Sequence, residues 1–140
     1  MRLAVRHNIL ADRLSLAVQP MIVLPIGSKT LTQGRIGAGA ALAATYDISP
    51  QTQLYMSPTL YVTPFALASG AIGVNQTIYG PIGGTLELFG QHGGGQTQAS
   101  LDFTTVWTTS RNSEIDLNAN VGLTRDTPAV ELILGVTRCF

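Results

Sequence analysis

Four carboxylates, Glu87, Asp102, Asp116 and Glu131, recur through the second half of this 140-residue chain, each among alternating polar and apolar neighbours. Aligned on one wall, such groups attract cations or hold a polar substrate group, as charged rings do in pores. The blander reading is that they solvate an interior surface or pair with arginines such as Arg2 and Arg6, which share one parity near the start. His7 and His92 are the only histidines and stand too far apart for any metal-ligand spacing. Cys139 is the sole cysteine, which excludes an internal disulfide and a multi-cysteine zinc site. Ser100 and His92 can be imagined as nucleophile and base across a hairpin, but no elbow motif or third orienting group accompanies them. Gly37-Ala38-Gly39 starts like a dinucleotide loop, yet Leu42 follows where a glycine is needed and no helix pattern opens. The residues therefore predict neither an enzyme, a cofactor nor a metal.

Composition narrows the setting. Hydrophobic residues make up 45% of the chain and charged ones only 11%, against about 25% charged in soluble domains, so many side chains must face something other than water. Eight basic and eight acidic residues balance to zero, which removes the electrostatic argument for nucleic acid. Arg6, Arg13, Gln19, Lys29 and Arg35 interrupt the most apolar third, leaving no stretch of about 18 apolar residues for a membrane helix. Arg6 and His7 likewise break any export signal within the first ten residues.

What must position the carboxylates is a set of β-strands, because apolar residues recur at every second position and a helical period is nowhere sustained. Val130, Leu132, Leu134, Val136 and Phe140 share one parity, with Glu131, Ile133, Gly135, Thr137 and Cys139 on the other. Ile115, Leu117, Ala119 and Val121 alternate with Asp116, Asn118, Asn120 and Gly122; Leu101, Phe103 and Trp107 with Asp102 and Thr104; Leu86 and Leu88 with Glu87 and Phe89. The same pattern upstream gives about nine strands. Short turns are expected at Ala11 to Arg13, Ser49 to Thr52, Gly80 to Gly84 and Ser110 to Glu114. Longer links are expected at Ile26 to Arg35, Phe65 to Gly70 and Gly90 to Thr97, with Arg125 to Pro128 a short exception. Strands of about 10–12 residues exceed the usual globular length and suit a tilted bilayer crossing. The expectation is a single all-β domain over residues 1–140: an antiparallel transmembrane up-and-down β-barrel in a bacterial outer membrane. An odd count cannot close normally, so one or more N-terminal strands are expected to be missing.

The run Leu86-Glu87-Leu88-Phe89-Gly90, Gly93-Gly94-Gly95-Gln96-Thr97-Gln98, Leu101-Asp102 and Ile115-Asp116-Leu117, with Gln19-Pro20 and Leu24-Pro25-Ile26-Gly27-Ser28 upstream, resembles the outer-membrane proteins grouped under the meta-pathway of phenol degradation. The resemblance spans roughly Arg2 to Phe140 and corresponds to the later part of a longer family member. It implies an outer-membrane barrel with a role in hydrocarbon or aromatic uptake and supplies no catalytic motif. A terminal aromatic, Phe140, resembles the signal read by the barrel-assembly machinery, although Arg138-Cys139-Phe140 departs from the family's usual ending.

On the barrel reading, the polar parity lines a lumen with Glu87, Asp102, Asp116, Glu131, Asn118, Asn120, Tyr55, Tyr61 and Tyr79, while Tyr46, Trp107 and Phe140 mark the lipid interface. Gly37, Gly39 and Gly73 are expected to leave the bore open. Outer-membrane lipid and a small solute are the expected partners, and passive transport, porin-like, is the expected role. The alternatives are a structural or surface-interaction barrel without transport and a soluble ligand-binding barrel of the lipocalin sort with its faces reversed.

Overall fold

The computed structural model describes residues 2–10, 13–24, 36–62 and 66–138. Within them the period-two pattern becomes eleven strand segments and no helix: β1 (Arg2–Ala4), β2 (His7–Leu10), β3 (Leu14–Val23), β4 (Gly37–Ser49), β5 (Thr52–Met56), β6 (Thr59–Val62), β7 (Ala66–Tyr79), β8 (Ile82–Gly93), β9 (Gln96–Ser110), β10 (Ser113–Gly122) and β11 (Val130–Arg138). All join one antiparallel sheet in up-and-down order. Because β1 and β2 both pair with β3, and β5 and β6 both lie between β4 and β7, the eleven segments fill nine positions. Among the described residues, the β1/β2 position and β11 are the two edges.

Both interruptions sit at a proline, whose missing N–H cannot serve a ladder. Val5, between β1 and β2, donates to Pro20 O at 3.3 Å, opposite the site where β3 lacks its donor. Between β5 and β6, Ser57 N–H donates to Ala71 O and Pro58 O accepts from Leu42 N–H, both at 2.9 Å, so the broken strand stays bonded to both neighbours.

The connections depart from expectation on one rim. The turns at Pro50–Gln51, Gly80–Pro81 and Arg111–Asn112 are tight, as the sequence suggested. The longer link expected over Gly90 to Thr97 is instead a two-residue turn, since Gly94 (φ 62°) and Gly95 (φ 80°) supply the paired positive φ angles of a tight hairpin. Ala66 to Gly70, expected in a link, belongs to β7, because Leu67, Ala68 and Ser69 pair with β6 and β8 at once, while Ala66 pairs with β6 and Gly70 with β8. The expected short exception, Arg125 to Pro128, lies in a seven-residue connection, Leu123–Ala129. It folds back over the start of β9, which outruns β10: Asp126 Oδ2 accepts Thr97 N–H at 2.9 Å, and Thr127 Oγ1 accepts Ala99 N–H at 3.1 Å. The expected links at Ala11 to Arg13 and Ile26 to Arg35 fall almost wholly outside the described residues.

A soluble sheet of this size buries one face under a second layer. Here, among the described residues, only Ala17 and Met21 are buried apolar side chains. The apolar parity is the exposed one. One row runs Leu14–Tyr46–Leu54–Val74–Leu86–Phe103–Ala119–Leu132 and the next Leu16–Ala44–Met56–Ile72–Leu88–Leu101–Val121–Val130, each crossing eight strand positions without a polar residue. Leu88 is 47% exposed in mid-sheet and Leu134 71% at the edge.

Candidate functional site: the polar face of the sheet

On the opposite parity the register assembles a row that no stretch of sequence displays. Thr45, Tyr55, Gly73, Glu87, Asp102, Asn120 and Glu131 stand side by side from β4 to β11. Three of the four carboxylates are thus brought together, Glu87 directly opposite Asp102 and Glu131 beyond Asn120. Asp116 is not among them; it lies farther along β10, against Gly135.

Two carboxylates directly opposite on a sheet repel. Each is met by a hydroxyl donor that offsets part of that cost. Tyr55 O–H donates to Glu87 Oε2, and Ser100 O–H donates to Asp102 Oδ2 at 3.3 Å from a position only 2% exposed. Asp102 Oδ1 is buried and has no hydrogen-bond partner. Arg6 lines a cavity with Ser15 and Thr45 at the far end of this row, and Tyr55 and Gly73 lie between Thr45 and Glu87. The side chain of Arg2 lies outside the described residues.

The adjacent row toward the Pro50 turn is a polar ladder. Gln53 Nε2 donates to Asp47 Oδ1 at 2.7 Å, Thr85 Oγ1 to Asn75 Oδ1 at 2.8 Å and Asn118 Nδ2 to Thr104 Oγ1 at 2.6 Å. Asn118 and Asn120 therefore fall in different rows, one bonded across the sheet and the other between Asp102 and Glu131.

The tyrosines separate. Tyr55 and Tyr61 lie over Gly73 and Gly39, whose space they fill, so these glycines hold rings and do not open a bore as expected. Tyr79, at the end of β7, is 80% exposed. On the other face Tyr46 and Trp107 are both exposed, but Tyr46 shares its row with Phe103 and Trp107 sits four residues nearer the Arg111 turn. Phe140 lies outside the described residues. Ser100 and His92 are on opposite faces, His92 bonding Thr97 Oγ1 at 2.8 Å on the apolar side, so the imagined nucleophile and base are not assembled. Among the described residues no group of His, Cys, Asp and Glu could hold a metal ion.

Alternation alone separates the two faces. It misses the Tyr55–Glu87 bond and the Asp126 clasp, which join residues 32 and 29 apart. The available signal was glycine on the polar parity, readable only once the register places an aromatic beside it. No protein-family model and no curated protein matches the chain.

Proposed function

We propose that this chain forms wall strands of a transmembrane β-barrel in a bacterial outer membrane, a passive, porin-like conduit for small solutes and not a catalyst. The observation that carries the reading is the inverted exposure of the sheet. Uninterrupted apolar rows face outward while carboxylates, asparagines and threonines hold the sheltered side. In hydrocarbon that arrangement puts each face in its preferred medium. A soluble lipocalin-like barrel needs the apolar parity inside. Strands such as β7 (14 residues) and β9 (15 residues) are long enough to cross an apolar band of about 25 Å at a tilt. Closing the nine positions found among the described residues would bring two parallel edges together, so the proposal includes at least one further strand to give the even antiparallel count usual in such barrels.

Membership of the phenol meta-pathway barrels, an aromatic or hydrophobic solute, and insertion by the barrel-assembly machinery belong to the same proposal. Purified protein is expected to raise the conductance of a planar bilayer, and Glu87→Gln or Asp102→Asn to change its ion selectivity; a well-inserted protein that passes no current rejects the conduit. One observation favours a second reading, a packed structural or surface-interaction barrel: the rings over Gly39 and Gly73 and the polar ladder occupy the sheltered face. That reading predicts insertion without flux, with loop replacement abolishing binding of a surface partner.

A further inference from the structure

Tyr55 and Glu87 are not neighbours in the sheet. Strand β7 runs between them, and the residue it contributes to their row is Gly73. A Cβ at position 73 would stand 2.7 Å from Cζ and Oη of Tyr55 and from the backbone O of Leu86, closer than such atoms approach. The phenol ring therefore occupies the place of the absent side chain, and it bridges two inter-strand spacings of about 4.8 Å to reach Glu87 Oε2. The same sheet contains an internal comparison. Tyr61 lies over Gly39, with Cδ2 2.9 Å from the position of a Cβ there, but Tyr61 meets no carboxylate among the described residues. A ring over glycine alone fills space; at Gly73 the ring also delivers a donor to an acidic side chain.

We propose that Tyr55 is a positioning residue: laid across Gly73, it pins the Glu87 carboxylate to the wall of the polar face and sets how much of the acidic row a passing solute meets. The solute class this favours is cationic, because Glu87, Asp102 and Glu131 share the row and no arginine or lysine among the described residues stands within it. That second step rests on the conduit reading; the pinning does not.

The test uses folded protein in detergent micelles, a water-soluble carbodiimide with an amine nucleophile, and peptide mass analysis of the labelled carboxyls. Tyr55→Phe keeps the ring and removes the donor, and should raise labelling at Glu87 by about tenfold, the order expected for losing a hydrogen bond to a charged group, with Asp116 unchanged. Gly73→Ala, whose Cβ would meet the backbone O of Leu86 as well as the ring, should also raise Glu87 labelling in whatever fraction folds. In planar bilayers both variants should raise the cation-to-anion permeability ratio, Glu87→Gln should lower it, and Tyr55→Phe should add nothing in the Glu87→Gln background. Unchanged Glu87 labelling in Tyr55→Phe overturns the proposal, whatever Gly73→Ala does to folding. Altered labelling without any conductance upholds the pinning and rejects the conduit.

Discussion

Asp126 shows how much one side chain can do where two strands differ in length. Strand β9 extends past the last paired residue of β10, leaving amides that need acceptors. Asp126 Oδ2 takes Thr97 N–H, and its backbone O accepts from Gln98 Nε2 at 3.2 Å. Replacing it with alanine should cost about 1 kcal/mol, near the typical net value of one hydrogen bond, and speed hydrogen exchange selectively at the Thr97 amide. Asp126→Asn, which keeps an acceptor, should restore most of the protection; equal exchange in all three proteins would show the contact to be idle. At this scale the sequence was legible by face but not by partner. Glu87, Asp102, Asn118 and Asn120 sort correctly by parity, whereas the pairing of Tyr55 with Glu87 depends on which strands adjoin.

Elements behave as alternation demands except where backbone geometry is special. The β8–β9 hairpin turns on Gly94 and Gly95, both at positive φ with open space around them. Strain and not crowding therefore governs substitution here. Gly95→Val should destabilise by roughly 1–2 kcal/mol, the cost of forcing a side chain into the left-handed region, and Gly95→Asn by clearly less. Urea midpoints followed by the mobility difference of folded and unfolded protein on gels give the comparison. A flexible eight-residue loop, as the glycine-rich sequence suggested, would tolerate both equally. Glycine composition cannot separate these cases, because the same residues that loosen a loop also permit the tightest turns.

For the whole molecule the decisive quantity is the medium against the apolar rows. Leu88→Arg, in the middle of the exposed apolar face, should destabilise a lipid-embedded sheet by about 2–4 kcal/mol and leave a water-exposed one nearly unaffected. Equilibrium unfolding in vesicles, compared with Leu88→Ala, measures the difference. A neutral result in vesicles would remove the membrane.

The order of polar and apolar residues by itself determined that the fold is all-β, that many of its strands are long, and that these have two unlike faces, because side-chain direction alternates strictly in an extended backbone. Register decided the rest. Antiparallel pairing fixed which carboxylates adjoin, which glycine receives a tyrosine, and where two prolines interrupt the ladder, since a residue's neighbours across a sheet are set by strand alignment and not by position along the chain.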